Sequence, residues 1–327
     1  MTAPTPGPVT MAKALNEGLR KAMEDDPKVL IMGEDVGKLG GVFRITDGLQ
    51  KDFGEDRVVD TPLAESGIIG TAVGLAIRGY RPVCEIQFDG FVFPGFDQIV
   101  SQVAKIHTRS AGTVRMPITI RIPFGGGIGA VEHHSESPES YFAHAPGLKI
   151  VSCSNPSDAY WMIRQSIASD DPVIFFEPKR RYWAKGDIDA EPLPLHQARV
   201  ARPGAEVTIV TYGPMVTTVL EAAAIAADEG RDLEVIDLRS ISPLDMTTVL
   251  ASVERTGRLI VVHEAWRNVS ISSELAARVQ ERAFYSLEAP VLRVTGYDTQ
   301  YPPSRLEDEW LPSVDRILDA VDRSLSF

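Results

Sequence analysis

Short, unbroken apolar runs alternate along this chain with stretches whose apolar residues recur every three or four positions. Val29-Leu30-Ile31-Met32, Pro82 to Ile86, Ile118 to Pro123, Lys149 to Cys153 and Val173 to Phe176 are runs of the first kind. Continuous apolarity over so few residues predicts strands covered on both faces, as in a parallel sheet. Met11, Leu15, Leu19 and Met23 are of the second kind and predict a helix over Val9 to Met23, ended at Asp25-Asp26-Pro27 where proline cannot continue it. Further helices are predicted over Phe96 to Ala111 and Ser157 to Ala168. The rhythm fails between Lys179 and Gly204, which carries Lys179-Arg180-Arg181, Pro192, Pro194 and Pro203 and no sustained period. It restarts at Val207 to Tyr212, and continues through helix Val216 to Glu229, strand Leu233 to Leu238, helix Met246 to Thr256, strand Leu259 to His263, helix Ile271 to Ala283, strand Val291 to Val294 and a last helix near Val314 to Ser324. The expected fold class is therefore α/β with two doubly wound domains: a disordered start over 1–8, a first domain over 9–185, a linker over 186–205 and a second domain over 206–327.

Composition changes this picture little. The 327 residues suffice for two cores, and 44% hydrophobic with 24% charged content is ordinary for a globular protein. A net charge of −12 argues against nucleic acid or an anionic membrane as partner. An anionic substrate remains compatible only if basic residues are focused locally or come from another chain. Cys84 and Cys153 both lie in strand-like apolar runs and read as reduced core residues. No apolar run approaches a membrane span, and Met1 to Pro8 lacks the apolar core of a secretory signal, so a cytoplasmic location is the default expectation.

The stretch that organises the chain is Asp60-Thr61-Pro62-Leu63-Ala64-Glu65-Ser66-Gly67. Thr61 and Pro62 suit an N-cap and first helical position. Behind them Gly67, Gly70 and Gly74 recur at helical spacing, which predicts a helix face packed closely on another backbone. Glu65 thus enters an apolar helix at its first turn, either as a structural acid paired with the helix N-terminus or as a working acid whose proton affinity the site sets. Local pattern favours the structural role. Gly125-Gly126-Gly127-Ile128-Gly129-Ala130 follows a strand and fits the loose dinucleotide pattern, but Val131-Glu132-His133-His134-Ser135 does not open an amphipathic helix and no acid ends a second strand near Val151. The nicotinamide reading is set aside. Adjacent His133 and His134 match no zinc motif, so a histidine aimed into a loop-built site is the better reading than a metal ligand.

Val59 to Gly67 resembles the cofactor-activating segment of the β subunits of thiamine-dependent 2-oxoacid dehydrogenases, the E1 components. The likeness runs from Ala12 to Val321 and includes Gly33-Glu34-Asp35-Val36, Glu85-Ile86-Gln87-Phe88, Phe93-Pro94-Gly95-Phe96-Asp97-Gln98, His134-Ser135-Glu136-Ser137-Pro138-Glu139 and Gly296-Tyr297-Asp298-Thr299. The resemblance implies a thiamine-enzyme pyrimidine-binding domain followed by a transketolase C-terminal-like domain. It also implies thiamine diphosphate shared between two subunits, with the aminopyrimidine held by this chain and the diphosphate held through Mg2+ by an E1 α subunit. Glu65 matches the glutamate on the pyrimidine ring nitrogen, and Glu34 a second acid beside it. Leu63, Gln87 and Phe91 match pocket-lining positions, although Leu63 and Phe91 read equally as ordinary core. His134 matches the histidine facing the thiazolium, while His133 stands where relatives often carry Thr, Gln or Tyr. No Gly-Asp-Gly diphosphate motif occurs in the chain, in keeping with half a site. Some relatives hold a K+ ion near Ile118 and the Ser166 to Asp171 turn; Ser169 replaces an acid there, and the ion is left unclaimed.

The implied assembly is an α2β2 heterotetramer that decarboxylates a 2-oxoacid and passes the acyl group to the lipoyl group of an E2 acyltransferase. Glu85 to Phe88, Phe175 to Lys179 and Gly296 to Thr299 resemble branched-chain 2-oxoacid enzymes, hence branched-chain amino acid catabolism, more than pyruvate enzymes. Pyruvate and acetoin dehydrogenase β subunits and a non-catalytic assembly subunit are the alternatives. His263-Glu264-Ala265-Trp266, at a strand end of the second domain, is expected at an interface with another chain.

Overall fold

In a computed structural model, which describes residues 7–327, β1 (Val9–Thr10) leads into α1 (Met11–Asp25). The expectation for the start of the chain lies largely outside the described residues. Thr10 caps α1 by accepting from the Lys13 amide at 3.2 Å. Then follow β2 (Val29–Gly33), α2 (Leu49–Phe53), β3 (Val58–Asp60), α3 (Glu65–Ile77) and β4 (Arg81–Glu85). Beyond an irregular helical stretch come α4 (Ile106–Arg109), β5 (Thr119–Phe124), α5 (Glu139–Ala143), β6 (Lys149–Ser152), α6 (Pro156–Ala168), β7 (Val173–Pro178) and β8 (Lys185–Gly186). The remainder is β9 (Arg199–Arg202), β10 (Val207–Thr211), α7 (Met215–Asp228), β11 (Leu233–Asp237), β12 (Ser240–Ser242), α8 (Met246–Thr256), β13 (Leu259–Val262), α9 (Ile271–Ala283), β14 (Leu292–Val294), α10 (Glu307–Trp310) and α11 (Val314–Leu325).

Two sheets carry the fold. The first has the order β12-β6-β7-β5-β4-β2-β3, parallel except for β12, and the second the order β14-β13-β10-β11-β9, parallel except for β9. Alternation along β7 shows why the first sheet is buried on both faces: Ile174 and Phe176 join one core, Val173 and Phe175 the other. Helix α1 crosses α6 closely because Gly18 leaves room; a Cβ there would lie 2.9 Å from the Tyr160 carbonyl oxygen. Helix α11 closes the second domain with Ile317, Ala320 and Val321.

The two domains are stitched together. Within residues 186–205, Arg199–Arg202 form β9 at the edge of the second sheet. Strand β12 comes after β11 in the chain, yet it pairs with β6 in the first sheet. Ile236, Leu238, Val249 and Leu275 share a continuous core with Ile120 and Phe176.

Three sequence expectations need correction. The helix expected over Phe96 to Ala111 is instead a π-helical turn (Gln98–Val103) and short α4, preceded by a 3-10 segment (Asp89–Gly95). The Ala104 amide reaches back to the Ile99 carbonyl, which puts one extra residue in the turn and breaks a single helical register. Helix α3 begins at Glu65 rather than at Pro62: Ala64 is its N-cap, and the Thr61 amide extends the sheet by bonding the Gly33 carbonyl at 2.9 Å. The backbone expected against the α3 glycines is not in this chain. A Cβ on Gly67 or Gly70 would meet only Ala64 and Gln98 side-chain atoms beyond 3.5 Å, and one on Gly74 would meet nothing. Leu63, Ser66, Gly67, Gly74 and Ile77 face outward.

Candidate active site

The resemblance-derived residues gather at the carboxyl ends of adjacent strands. Glu34 follows β2, Leu63 and Glu65 follow β3, Gln87 and Phe91 follow β4, and His134 follows β5. These four strands are neighbours in the order β5-β4-β2-β3. In a doubly wound sheet, the loops beyond the carboxyl ends are where ligands bind.

Glu34 and Glu65 form an acidic pair, 7% and 8% exposed. Burial first, then the Glu65 and Asp35 charges, hold the Glu34 carboxyl above its ordinary range. Its Oε1 is buried without a hydrogen-bond partner. Gln87 Nε2 donates to Asp35 Oδ2 at 3.3 Å, tying the β4 end to the loop after β2. Gly95, on the turn that carries Phe91, lies against the Glu65 backbone: its Cβ position is 3.4 Å from the Glu65 carbonyl oxygen.

Phe91 and His134 meet on the other side of that turn. The His134 ring stacks on Phe88 with centroids 4.0 Å apart, and Phe91 packs edge-on at 5.1 Å. His133 points to solvent, with Nδ1 3.3 Å from Glu132 Oε1. Leu63 stands apart at 76% exposure, so it is a rim residue and not core. Among the described residues no cluster of three metal-ligating side chains is assembled.

These features fit the aminopyrimidine end of thiamine diphosphate. A buried carboxylate oxygen without a partner, a second acid beside it and a flanking aromatic suit a flat ring with polar nitrogens on its edge. Glu34 and Glu65 would hold those nitrogens, and Phe91 and Leu63 would border the ring.

The family model described as transketolase, pyrimidine binding domain, matches residues 7–184, and that for the transketolase C-terminal domain matches residues 196–317. The pyruvate dehydrogenase E1 component subunit beta of Leifsonia xyli subsp. xyli is 65% identical over 97% of this chain and 95% of its own length. The chain belongs to the E1 β subunits of the 2-oxoacid dehydrogenases. The 3-methyl-2-oxobutanoate dehydrogenase subunit beta of Mycobacterium tuberculosis (strain H37Rv) is 57% identical over 97% of this chain and 92% of its own length. The pyruvate dehydrogenase E1 component subunit beta of Staphylococcus aureus (strain N315) is 47% identical over 98% and 99%. A solved structure titled "Split gene transketolase, inactive beta4 tetramer" superposes with a TM-score of 0.82 at 20% identity, covering 98% of this chain and 99% of its own; it shows the shared fold.

In this E1 β chain, several residues that the sequence did not single out hold His134. Lys179 Nζ donates to the His134 carbonyl at 2.5 Å and also to Asp89, whose Oδ2 accepts the Glu136 amide at 2.8 Å. Asp89 and Lys179 are both buried, and burial pushes the carboxyl up and the ammonium down against the pull of each partner. Phe88 supplies the stacking face. The signal for Lys179 was its place at the carboxyl end of β7, where it was grouped with a basic run at a domain boundary. Close by, Glu139 accepts from the Tyr212 hydroxyl of the second domain, and complete burial pushes its carboxyl up to about 8.

His263-Glu264-Ala265-Trp266 is corrected as well. His263, Glu264 and Ala265 are buried inside the chain, at the junction of the two domains. His263 Nε2 is 2.9 Å from the Ser272 hydroxyl, and burial lowers its pKa to about 3, so the ring is neutral. Glu264 Oε2 accepts the Gly126 amide at 3.0 Å and its Oε1 pairs with Arg180 at 2.6 Å. Cys84 and Cys153 are buried free thiols, and burial pushes Cys84 up to about 12.

Proposed function

We propose that this E1 β subunit contributes the aminopyrimidine half of a thiamine diphosphate site to an α2β2 E1, with the diphosphate and Mg2+ held by the α subunit. The observation that carries the reading is the Glu34–Glu65 pair, two buried carboxyls at the carboxyl ends of neighbouring strands with one oxygen unpartnered. The outward row of Gly67, Gly74 and Ile77 on α3, with exposed Leu63 just before it, supports a second chain completing the site, because an apolar helix with one face bare to solvent needs a cover.

When bound, thiamine diphosphate would supply the nucleophilic carbon and the electron sink that decarboxylation of a 2-oxoacid needs. Glu65 holds a proton against a ring nitrogen of the aminopyrimidine. Glu34 keeps that corner acidic and dry, and Gln87 holds the loop carrying Glu34 in place. Phe91 and Leu63 exclude water at the ring's border. His134, braced by Phe88, stands on the substrate side as the candidate proton donor or acceptor. The acyl group would pass to the oxidised lipoyl group of an E2 acyltransferase, whose S–S bond breaks and is reduced as the thioester forms.

The substrate is a 2-oxoacid. Glu85 to Phe88 and Phe175 to Lys179 lean towards a branched-chain acid. The 65% identical relative is named a pyruvate enzyme and the 57% identical one a 3-methyl-2-oxobutanoate enzyme, so pyruvate is the second reading. The test is co-expression with the E1 α chain and an assay of decarboxylation with each acid, acetoin serving as a third. A kcat/KM for 3-methyl-2-oxobutanoate about tenfold or more above pyruvate, a difference of ~1.4 kcal/mol, is expected. The reverse ratio would move the assignment to pyruvate, and no turnover with any of them would leave an assembly subunit.

A further inference from the structure

The glycine loop between β5 and His134 is occupied, and its occupant is a carboxylate from the other domain. Gly125, Gly127 and Gly129 adopt φ of +84°, +85° and +70°, left-handed values that turn successive amides inward. Loops of this kind form a concave nest of N–H groups that binds anions. Here Glu307 fills it: Oε1 accepts the Gly127 amide at 2.8 Å and Oε2 accepts the Gly129 amide at 3.0 Å. Glu264 takes the Gly126 amide next door. The Tyr301 hydroxyl donates to Glu307 Oε1, and a Cβ on Gly126 would stand 2.0 Å from that hydroxyl, so only glycine admits the tyrosine. Tyr301 is itself wedged against Trp310 with ring centroids 4.8 Å apart.

The segment from Gly129 to His134 is therefore suspended between two fixed ends. The upstream end is held by Glu307 of the second domain, and the downstream end by Lys179 and Asp89 of the first. Val131, Glu132 and His133 between them are exposed, and the stretch between the two ends packs where the His133 backbone lies against Gly90, whose Cβ position is 2.4 Å from the His133 carbonyl oxygen. We propose that Glu307, supported by Tyr301, is a positioning residue for His134: the second domain sets, through this one carboxylate, where the histidine stands. This rests on His134 being the substrate-facing histidine of the site.

Both carboxylate oxygens are in use, which makes the isosteric amide informative. Glu307→Gln keeps one acceptor and turns an NH2 group towards the other amide, donor against donor. In the co-purified αβ complex, kcat is expected to fall roughly 10- to 100-fold, as for a displacement of about 1 Å at a reacting group, with KM and thiamine diphosphate affinity unchanged. Hydrogen exchange should quicken at amides 125–136 and stay as in wild type across α11. Tyr301→Phe, which deletes a single hydroxyl, should shift both readouts the same way by less, and it serves if Glu307→Gln does not assemble. His134→Ala should abolish turnover while the exchange of 125–129 stays slow. Wild-type kcat in Glu307→Gln, or a lost kcat with unchanged exchange in the loop, would overturn the proposal. An active His134→Ala would instead sink the reading of His134, while the exchange result would still report on the tether.

Discussion

Replacing Glu65 by Gln in the co-purified complex is expected to slow 2-oxoacid decarboxylation by roughly 10²- to 10⁴-fold, the range for loss of a positioned acid or base. The change is close to isosteric, so the buried place that Glu65 occupies, only 8% exposed, is kept. What disappears is a group that can share its proton with a ring nitrogen. As the first residue of α3, Glu65 also complements the helix N-terminus, a contribution of about 0.3–1 kcal/mol. That is small beside the rate effect, so assembly and unfolding temperature should hardly move. Full activity in Glu65→Gln would remove this residue from the chemistry and leave it the structural role that its local sequence pattern favours.

The largest effect on stability is expected at Arg121, in the middle of β5. Its Nη1 donates to Glu85 at 2.5 Å, and its Nε and Nη2 to Glu177 at 2.6 and 3.0 Å. The Tyr182 hydroxyl adds a bond to Glu177 at 2.7 Å. All four side chains are buried, and burial holds the Glu85 carboxyl above its ordinary range. Arg121→Met removes the one cation facing two buried carboxylates, which should cost roughly 3–5 kcal/mol, the usual price of an uncompensated buried charge. Chemical denaturation of the wild type and variant measures it. Adding Glu85→Gln and Glu177→Gln to Arg121→Met should recover much of the loss, because neutral amides need no counter-charge. An unchanged midpoint for Arg121→Met would mean that water reaches the cluster.

The alternation of elements was legible because the central strands of the first sheet are covered on both faces and largely apolar, as in Val29 to Met32. The proposed site residues Glu65 and His134 stand out only through motif resemblance, since a lone acid or histidine carries no pattern of its own. What the sequence hid was long-range. Lys179 reaches Asp89 across the sheet, Glu307 reaches Gly127 from the other domain, and β12 pairs with β6 after the chain has already entered the second domain. None of these partners is marked by local periodicity. The start of α3 was misplaced because Thr61 and Pro62 suit a helix N-terminus, while the sheet still claims the Thr61 amide. The glycine row on α3 suggested close packing on another backbone, and within this chain there is none for it to meet.

The most direct test of the shared-site account is calorimetric titration of thiamine diphosphate with Mg2+ into the isolated β chain and into the complex co-purified with its α partner. The account predicts tight binding by the complex and none of comparable strength by the β chain alone. Tight binding by the isolated chain would contradict it, since both ends of the cofactor would then be held without the α subunit.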